Sequence, residues 1–476
     1  MTTPYRPFKF SRILAYMLQS VEYNPAAYIK WIVRTRNFNK VMYRRKLERT
    51  RASTMFRTFA LLAMLFFYAE ALVIGFYAVG FVGFIGLIIP AALLILVPVK
   101  TAVLLILPLI VARIVISKPK EKKLIAASKD IFSNTKAIKI AVAGSYGKTS
   151  MKELLGILLS EGKNVAITPA NKNVASSHAL FAQKLSGDED VLVVEFGEGE
   201  PGDVKRFSET LQPTLAIITG IAPAHLDHYA TLDQAAKDIF TLADFVDTKS
   251  VYVNSDSKLA RPYIKDNYTS YSEKGTKDAR VTNTHITVSH TSFSLKTAHN
   301  SYNIRTNLLG RHTIGPLVAA ILIAEKVGLT QDQIITGISK IRPYEHRMQP
   351  REQFGAWIID DTYNGNIEGM AAGLALLSEL DAKRKIYVTP GLVDQGEETE
   401  SVHVRLGALI ADANPTITVL MSNSVTRHIQ KGLERGGYKG QLKIETDPLE
   451  FYTSLENFIA GGDIVLMQND WPDNYA

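Results

Sequence analysis

The 476-residue chain has no cysteine, which removes disulfides, thiolate catalysis and cysteine-ligated zinc together. It has no solenoid-type repeat and no long low-complexity linker, so its parts must be told apart by charge and hydropathy. Its length exceeds one ordinary core and points to two or three domains. Negative charge is the scarcer sign, leaving a formal net charge of +8. Such a balance suits nucleic acid, a membrane surface or an anionic substrate, and the placement of the charge decides among them.

Ten basic residues lie between Lys30 and Arg57, and an apolar tract follows from Thr58 to Ile116, broken only by Glu70, Lys100 and Arg113. A spanning helix needs about 20 apolar residues, so the tract has room for two or three. It begins too late and runs too long for a signal peptide, and it has no polar face for a soluble helix. Lys118, Lys120, Lys122 and Lys123 make the far flank basic too. Basic flanks prefer the cytoplasm, so two crossings are expected: Phe59–Val79 and Phe81 to about Leu105, turning near Gly80. The stretch on to Ile116 is an interfacial segment or a tilted extension. The basic run then answers to membrane orientation and anionic lipid, and nucleic acid is not expected as a partner.

From Ala137 the pattern changes. AIKIAVAG reads as a buried strand, and the apolar spacing of Met151, Leu154, Leu155, Leu158 and Leu159 as a helix. Between them lies GSYGKTS, the setting a phosphate loop requires, although the glycine of the common loop spacing is replaced by Val142. NVAIT, DVLVVEFG, TLAIITGI and SVYVN read as further strands with helices between, such as Leu232–Val246. Alternating strands and helices imply a parallel sheet. Ligands gather at the C-terminal ends of such strands, which brings Glu195 and His225 toward Lys148. A hairpin-like region runs from about Ser257 to Arg305, then a helix over Ile314–Val327. A second α/β module starts near Arg347, with AWIIDD, KIYVTPG, TITVLMSN and DIVLMQN as strands and a helix over Met370–Leu380. The expected fold is therefore α/β: a membrane-embedded helical region (1–120), a central nucleotide-binding domain (121–342) and a smaller C-terminal domain (343–476).

In GSYGKTS, Lys148 suits β/γ-phosphates and the hydroxyl of Thr149 or Ser150 suits Mg²⁺; the plain alternative is a tight turn with a surface lysine. Glu195, closing a buried strand, suits Mg²⁺ or a general base, whereas Glu198 and Glu200 read as a solvated acidic loop. His225, Asp227 and His228 form a cluster that is either structural or part of the site. In IIDDTYNGN the acids and asparagines are either turn formers or polar groups reaching ribose or phosphate.

Together these blocks resemble the Mur ligase family, ATP-dependent amide-forming enzymes of peptidoglycan synthesis. The family's Gly-x-x-Gly-Lys-Thr-(Thr/Ser) is matched in full by Gly144, Ser145, Tyr146, Gly147, Lys148, Thr149 and Ser150. TPANKNV and the series Glu195, Pro213, His225 follow in the family's order, and the resemblance runs from Ala137 to the C-terminus. EHRM (Glu345–Met348) and DDTYNGN (Asp360–Asn366) are most similar to the members that add D-alanyl-D-alanine to UDP-MurNAc-tripeptide; GLVDQGEETESVH is loosely similar to a further block. The segment LQSVEYNPAAYIKWI resembles the extension of membrane-associated relatives, where soluble ones carry a UDP-MurNAc-binding domain.

The resemblance implies ATP and Mg²⁺, an acyl phosphate, and a nucleotide-sugar peptide and D-Ala-D-Ala as substrates. It further implies a multi-pass protein of the bacterial cytoplasmic membrane with its catalytic domains facing the cytoplasm, beside lipid and other cell-wall enzymes. By it, Thr149 and Glu195 serve Mg²⁺, His225 a second metal, Asn171 phosphate or metal, and His312 the adenine side. Arg347, Asp361 and Asn364 bring the C-terminal domain onto the nucleotide. Lys237 stands for the lysine that is carbamylated in the family, two residues short of the usual place, Ile239. Other departures are Ala170 and Val174 within T-x-G-N-x-N-N, both asparagines missing after His312 in GRHTIGP, and Ile367 in place of proline. They leave two alternatives: a ligase of the same fold acting on another acid, such as a poly-γ-glutamate synthase-like enzyme, and a nucleotide-binding membrane scaffold without ligase activity.

Overall fold

The computed structural model describes residues 6–21, 23–35, 38, 47–170, 172–223, 229, 231–363, 365–392 and 395–469. The chain forms two compact units, one up to Lys123 and one from Leu124 onward.

The first unit is helical. α1 (Pro7–Ser20) and α2 (Pro25–Arg34) precede α3 (Arg51–Val82), α4 (Ile88–Leu104) and α5 (Ile106–Ala112). Asn24 caps α2 by accepting from the amide of Ala26 at 2.9 Å, and Thr50 with Ser53 forms a reciprocal cap on α3. α3 and α4 fold back on one another. The reversal lies at Gly83 (φ +60°), in a 3₁₀ turn over Gly83–Leu87, three residues beyond the expected Gly80. The helix runs on through Gly80, where a Cβ would meet open space, and stops at Gly83, which takes the positive φ that the turn needs. Lys100 Nζ meets Glu70 Oε2 at 2.5 Å across the pair and lies 4.3 Å from the Phe67 ring centre. Two of the three charges that interrupt the apolar tract thus neutralise each other. α1 and α2 pack at one end, where Leu14, Met17, Tyr28 and Trp31 join Phe56, Met64, Val97 and Leu105 in one cluster. Elsewhere the hairpin is apolar and exposed, with Phe66, Phe76, Phe81 and Ile95 each more than 60% accessible. Among the described residues, the helical run Arg51–Asn134 is the one stretch long and apolar enough to cross a membrane. Beyond α4 the chain stays helical through a π turn at Arg113–Ser117 into α6 (Lys118–Asn134).

Among the described residues, the second unit holds three sheets. The first has six strands: β1 (Ile138–Ala143), β2 (Val165–Ile167), β3 (Val191–Glu195), β4 (Leu215–Ile218), β5 (Val251–Asn254) and β6 (Thr269–Tyr271). Its order is β2-β3-β1-β4-β5-β6 and every pairing is parallel. β1 alternates between two cores: Ile140 and Val142 face α7 (Lys148–Leu159) on one side, and Ala141 and Ala143 face the other. Burial on both faces is why these strands read as continuous apolar runs. The chain continues through α8 (Ala175–Ala182), α9 (Asp203–Leu211) and α10 (Leu232–Phe240); α10 ends six residues before the expected Val246 and passes into a 3₁₀ turn over Thr241–Phe245.

The region expected as a hairpin is a four-stranded antiparallel sheet of β7 (Gly275–Thr276), β8 (Ala279–Ile286), β9 (Thr291–Lys296) and β10 (Ser301–Thr306), in the order β10-β9-β8-β7. It buries Phe293, Leu295, Tyr302 and Ile304 in the core shared with α11 (Ile314–Val327) and α12 (Gln331–Lys340). The third sheet comprises β11 (Gln349–Gln353), β12 (Ala356–Asp361), β13 (Lys385–Thr389), β14 (Ile417–Met421), β15 (Gln441–Glu445) and β16 (Ile464–Gln468), in the order β11-β12-β16-β13-β14-β15. β11 is antiparallel and the rest parallel. α13 (Ile367–Glu379), α14 (Thr399–Ala413) and α15 (Thr426–Arg435) cover one face. α13 begins three residues before the expected Met370, because Asn366 accepts from the amides of Glu368 and Gly369. Ile367, in the family's proline place, is a fully buried core residue.

Candidate nucleotide site

The loop Gly144–Gly147 joins β1 to α7 at the point where the strand order runs outward on both sides of β1. Gly144 has φ +141°, and a Cβ there would strike the Thr219 hydroxyl. Ser145 donates its amide to the Gly220 carbonyl at 2.8 Å, and Thr219 Oγ1 donates to the carbonyls of Ala143 and Tyr146. Loop and β4 end are thereby locked together. Gly147 (φ +76°) opens α7, whose first-turn amides lack partners within the helix and present positive charge to an anion.

Around this helix end lie two buried carboxylates and two buried lysines. Thr149 Oγ1 donates to Glu195 Oε1 at 3.1 Å, as does Asn173 Nδ2 at 3.1 Å. Lys152, fully buried, lies 3.5 Å from Glu195 Oε2 and also bonds the Ala170 carbonyl. Lys148 bonds the Gly144 carbonyl and meets Glu198 Oε2 at 2.6 Å. Glu198 is 4% exposed. The solvated reading of this residue is therefore corrected: the chain turning back after β3 aims it at the lysine, which compensates its burial. Behind the site, His178 Nε2 lies 2.8 Å from the Glu195 carbonyl, between Phe196 and Phe207. Burial pushes its pKa down to about 4, so it is neutral and donates to that carbonyl.

Glu195 Oε2 and Glu198 Oε1 are buried without a hydrogen-bond partner. The orphaned Glu195 oxygen, on the carboxylate that the Thr149 hydroxyl bonds, suits a divalent cation that takes its remaining ligands from phosphates and water. Among the described residues, no three of His, Asp or Glu gather as a self-sufficient metal cage.

The C-terminal module supplies a second group of polar residues. His346 Nδ1 lies 3.0 Å from Asp360 Oδ2, and Met348 donates its amide to Asp361 Oδ1 at 3.2 Å, so EHRM and DDTYNGN interlock. His346 (φ +59°) and Met348 (φ +45°) both take left-handed backbone, strain that presents Arg347 between them. The Arg347 guanidinium stacks 4.6 Å from the Tyr363 ring centre. Asp361 also accepts from Gln468 Nε2 at 2.8 Å; burial nevertheless pushes its pKa up to about 6. Tyr344 ties this segment to the loop by donating to the Ser150 carbonyl at 3.3 Å.

Of the residues singled out in the sequence, Gly144–Ser150 and Glu195 come together as one site. His312 lies in the 3₁₀ turn Arg311–Thr313 just before α11, beside the Arg311–Glu379 pair at 2.7 Å. Lys237 is 69% exposed on α10 and pairs with the surface acid Asp233 at 2.7 Å. Its neighbour Asp238 faces inward, accepting from Tyr229 at 2.8 Å and from the Gly202 amide at 2.9 Å. Asn171, His225 and Asn364 lie outside the described residues. Sequence reasoning missed Lys152, Asn173, His178 and the pairing of Glu198; their polar residue types carry no periodic signal, and only the lysine at one turn from Lys148 on α7 could have been anticipated.

Residues 142–324 match the Mur ligase middle domain. The loop, both carboxylates and most of α11 fall within that match. The chain is similar to the UDP-N-acetylmuramoyl-tripeptide–D-alanyl-D-alanine ligase of Escherichia coli, with 28% identity over 278 residues, 56% of this chain and 61% of the relative. It is similar in fold to MurF from Acinetobacter baumannii (TM-score 0.64, 21% identity, 73% of this chain and 77% of that one). The MurF ligase from Thermotoga maritima, solved in complex with ADP, gives a TM-score of 0.63 at 20% identity over 74% of this chain and 80% of that one. The chain thus spans about six tenths of the length of the first curated relatives it matches.

Proposed function

We propose that the protein is a membrane-anchored, ATP-dependent amide ligase that joins D-alanyl-D-alanine to UDP-MurNAc-tripeptide. The observation that carries this reading is the Thr149–Glu195 contact at 3.1 Å beside Lys148 at the opening of α7, within a Mur ligase middle domain. A carboxylate is a poor electrophile until one oxygen becomes a good leaving group. Transfer of the γ-phosphoryl group of ATP to that oxygen gives an acyl phosphate. The amine of the incoming dipeptide then attacks the carbonyl carbon, the amine loses a proton, and inorganic phosphate departs.

Lys148 and the α7 amides bind the β- and γ-phosphates and offset their charge. Thr149 and Glu195 would hold Mg²⁺, which when bound supplies further positive charge at the phosphates. Arg347, stacked on Tyr363, serves as the C-terminal module's cation toward the nucleotide, and Asn171, His225 and Asn364 are assigned the roles that the family resemblance implies. The exposed apolar hairpin of α3 and α4, between basic flanks, supports an anchor in the cytoplasmic membrane with the ligase unit on the cytoplasmic side.

The test supplies detergent-solubilised protein with ATP, Mg²⁺, UDP-MurNAc-tripeptide and D-Ala-D-Ala, and follows phosphate and the coupled peptide. Stoichiometric phosphate and product are expected, and Lys148→Ala should lower the rate about 10²- to 10³-fold. Phosphate release only with a different acid would reassign the substrate. A second reading, nucleotide binding without ligation, is favoured by the exposed Lys237; it predicts nucleotide binding with no phosphate release for any acid.

A further inference from the structure

Lys148 has a buried partner, Glu198, to which the reading above gives no role. Glu198 Oε2 lies 2.6 Å from Lys148 Nζ, with side-chain exposures of 3% and 10%. The other carboxylate oxygen is buried without a partner. An unmade hydrogen bond on a buried acceptor is unfavourable, so this pair is poorly built as a purely structural bridge. Its cation is moreover the group that a phosphate chain entering the loop needs. The ammonium already bonds the Gly144 carbonyl, and Glu198 covers another of its directions. A phosphate arriving there meets a carboxylate of like charge in a site shielded from water, where repulsion is strong. Gly199 and Gly202, the latter at φ +86°, flank the following turn and give the segment room to re-aim.

We propose that Glu198 is a displaceable counter-ion of Lys148: it holds the lysine in the nucleotide-free loop and yields it to the phosphates on binding. Glu198 thereby lowers affinity below what the bare loop would give and keeps the lysine aimed between turnovers. It acts through Lys148 and is a positioning residue. The inference rests on the nucleotide reading of the loop.

The test titrates the full-length protein in detergent with a fluorescent ADP analogue, in EDTA and in Mg²⁺. Glu198→Gln should bind about tenfold tighter than wild type in EDTA. In a Lys148→Ala background the same substitution should gain clearly less, since only the carboxylate's repulsion of phosphate is then removed and no ammonium remains to be released; an equal gain in both backgrounds overturns the proposal. Thermal melts check folding, and Glu198→Met replaces the glutamine variant if that variant unfolds. Equal or weaker binding in EDTA overturns the proposal. So does a loss confined to Mg²⁺, which would make Glu198 a metal ligand. Absence of binding in every protein, with or without Mg²⁺, overturns the nucleotide reading and the proposal with it.

Discussion

Ala170 stands at φ +48°, a backbone conformation that costs an L-residue with a Cβ about 1 kcal/mol or more. The family block has glycine here, and the carbonyl of Ala170 is held by the buried Lys152, so the local path is kept although the residue best suited to it is absent. Ala170→Gly should therefore stabilise the protein by about 0.5–1 kcal/mol, the relief of strain exceeding the added entropy of the unfolded chain; a lowered melting temperature in differential scanning fluorimetry would contradict this. At the same scale, some functional positions were legible and others were not. Lys148, Thr149 and Glu195 stand at fixed places relative to a strand end and a helix start, which sequence periodicity locates. Asn173, which donates to Glu195, and His178, which holds its carbonyl, act through contacts between segments. Glu198 looked like a loop acid because burial of a charge depends on a partner fifty residues away.

Between elements, the end of β12 is fixed by a chain of polar contacts. Tyr387 on β13 donates to Gln468 Oε1 at 3.1 Å, and Gln468 on β16 donates to Asp361 at 2.8 Å. Burial lifts Asp361 to about 6 against the pull of Gln468, the Met348 amide and Arg347. The sign follows from proton linkage. Between about pH 4 and pH 6 the folded protein binds more protons at this group than the unfolded chain, so its contribution to stability falls as pH rises through that window. Asp361→Asn removes the titration. The stability difference, variant minus wild type, should rise by roughly 2 kcal/mol from pH 4 to pH 7, whatever constant offset the lost acceptor introduces. Denaturant melts at several pH values check this, and a flat difference would refute it. The inner strands of the parallel sheets were readable because both faces are buried, whereas the edge strands β6 and β15 were not. β11, with Arg351, Glu352 and Gln353 exposed, was not: an edge strand without an apolar face has no period to read.

Across the whole molecule, an apolar helical hairpin and a ligase-fold unit share one chain. The apolar tract was legible from composition alone; its reversal point was not, because a helix runs on until a backbone angle rather than a hydropathy change stops it. The Glu70–Lys100 pair offers a way to learn which solvent surrounds the hairpin. In water an ion pair with both side chains about a third accessible contributes at most about 1 kcal/mol, and truncating either partner would be nearly silent. In lipid the survivor would be a lone charge, costing about 3 kcal/mol on insertion scales. With the protein reconstituted in bilayers, Glu70→Leu and Lys100→Met should each destabilise the hairpin strongly, while the double variant, which strands no charge, should recover most of the loss. Thermal unfolding followed by a fluorophore on α4 measures all four proteins. If both single variants lie within about 1 kcal/mol of wild type, the size expected of a solvated pair, the hairpin is in water and the anchor is wrong.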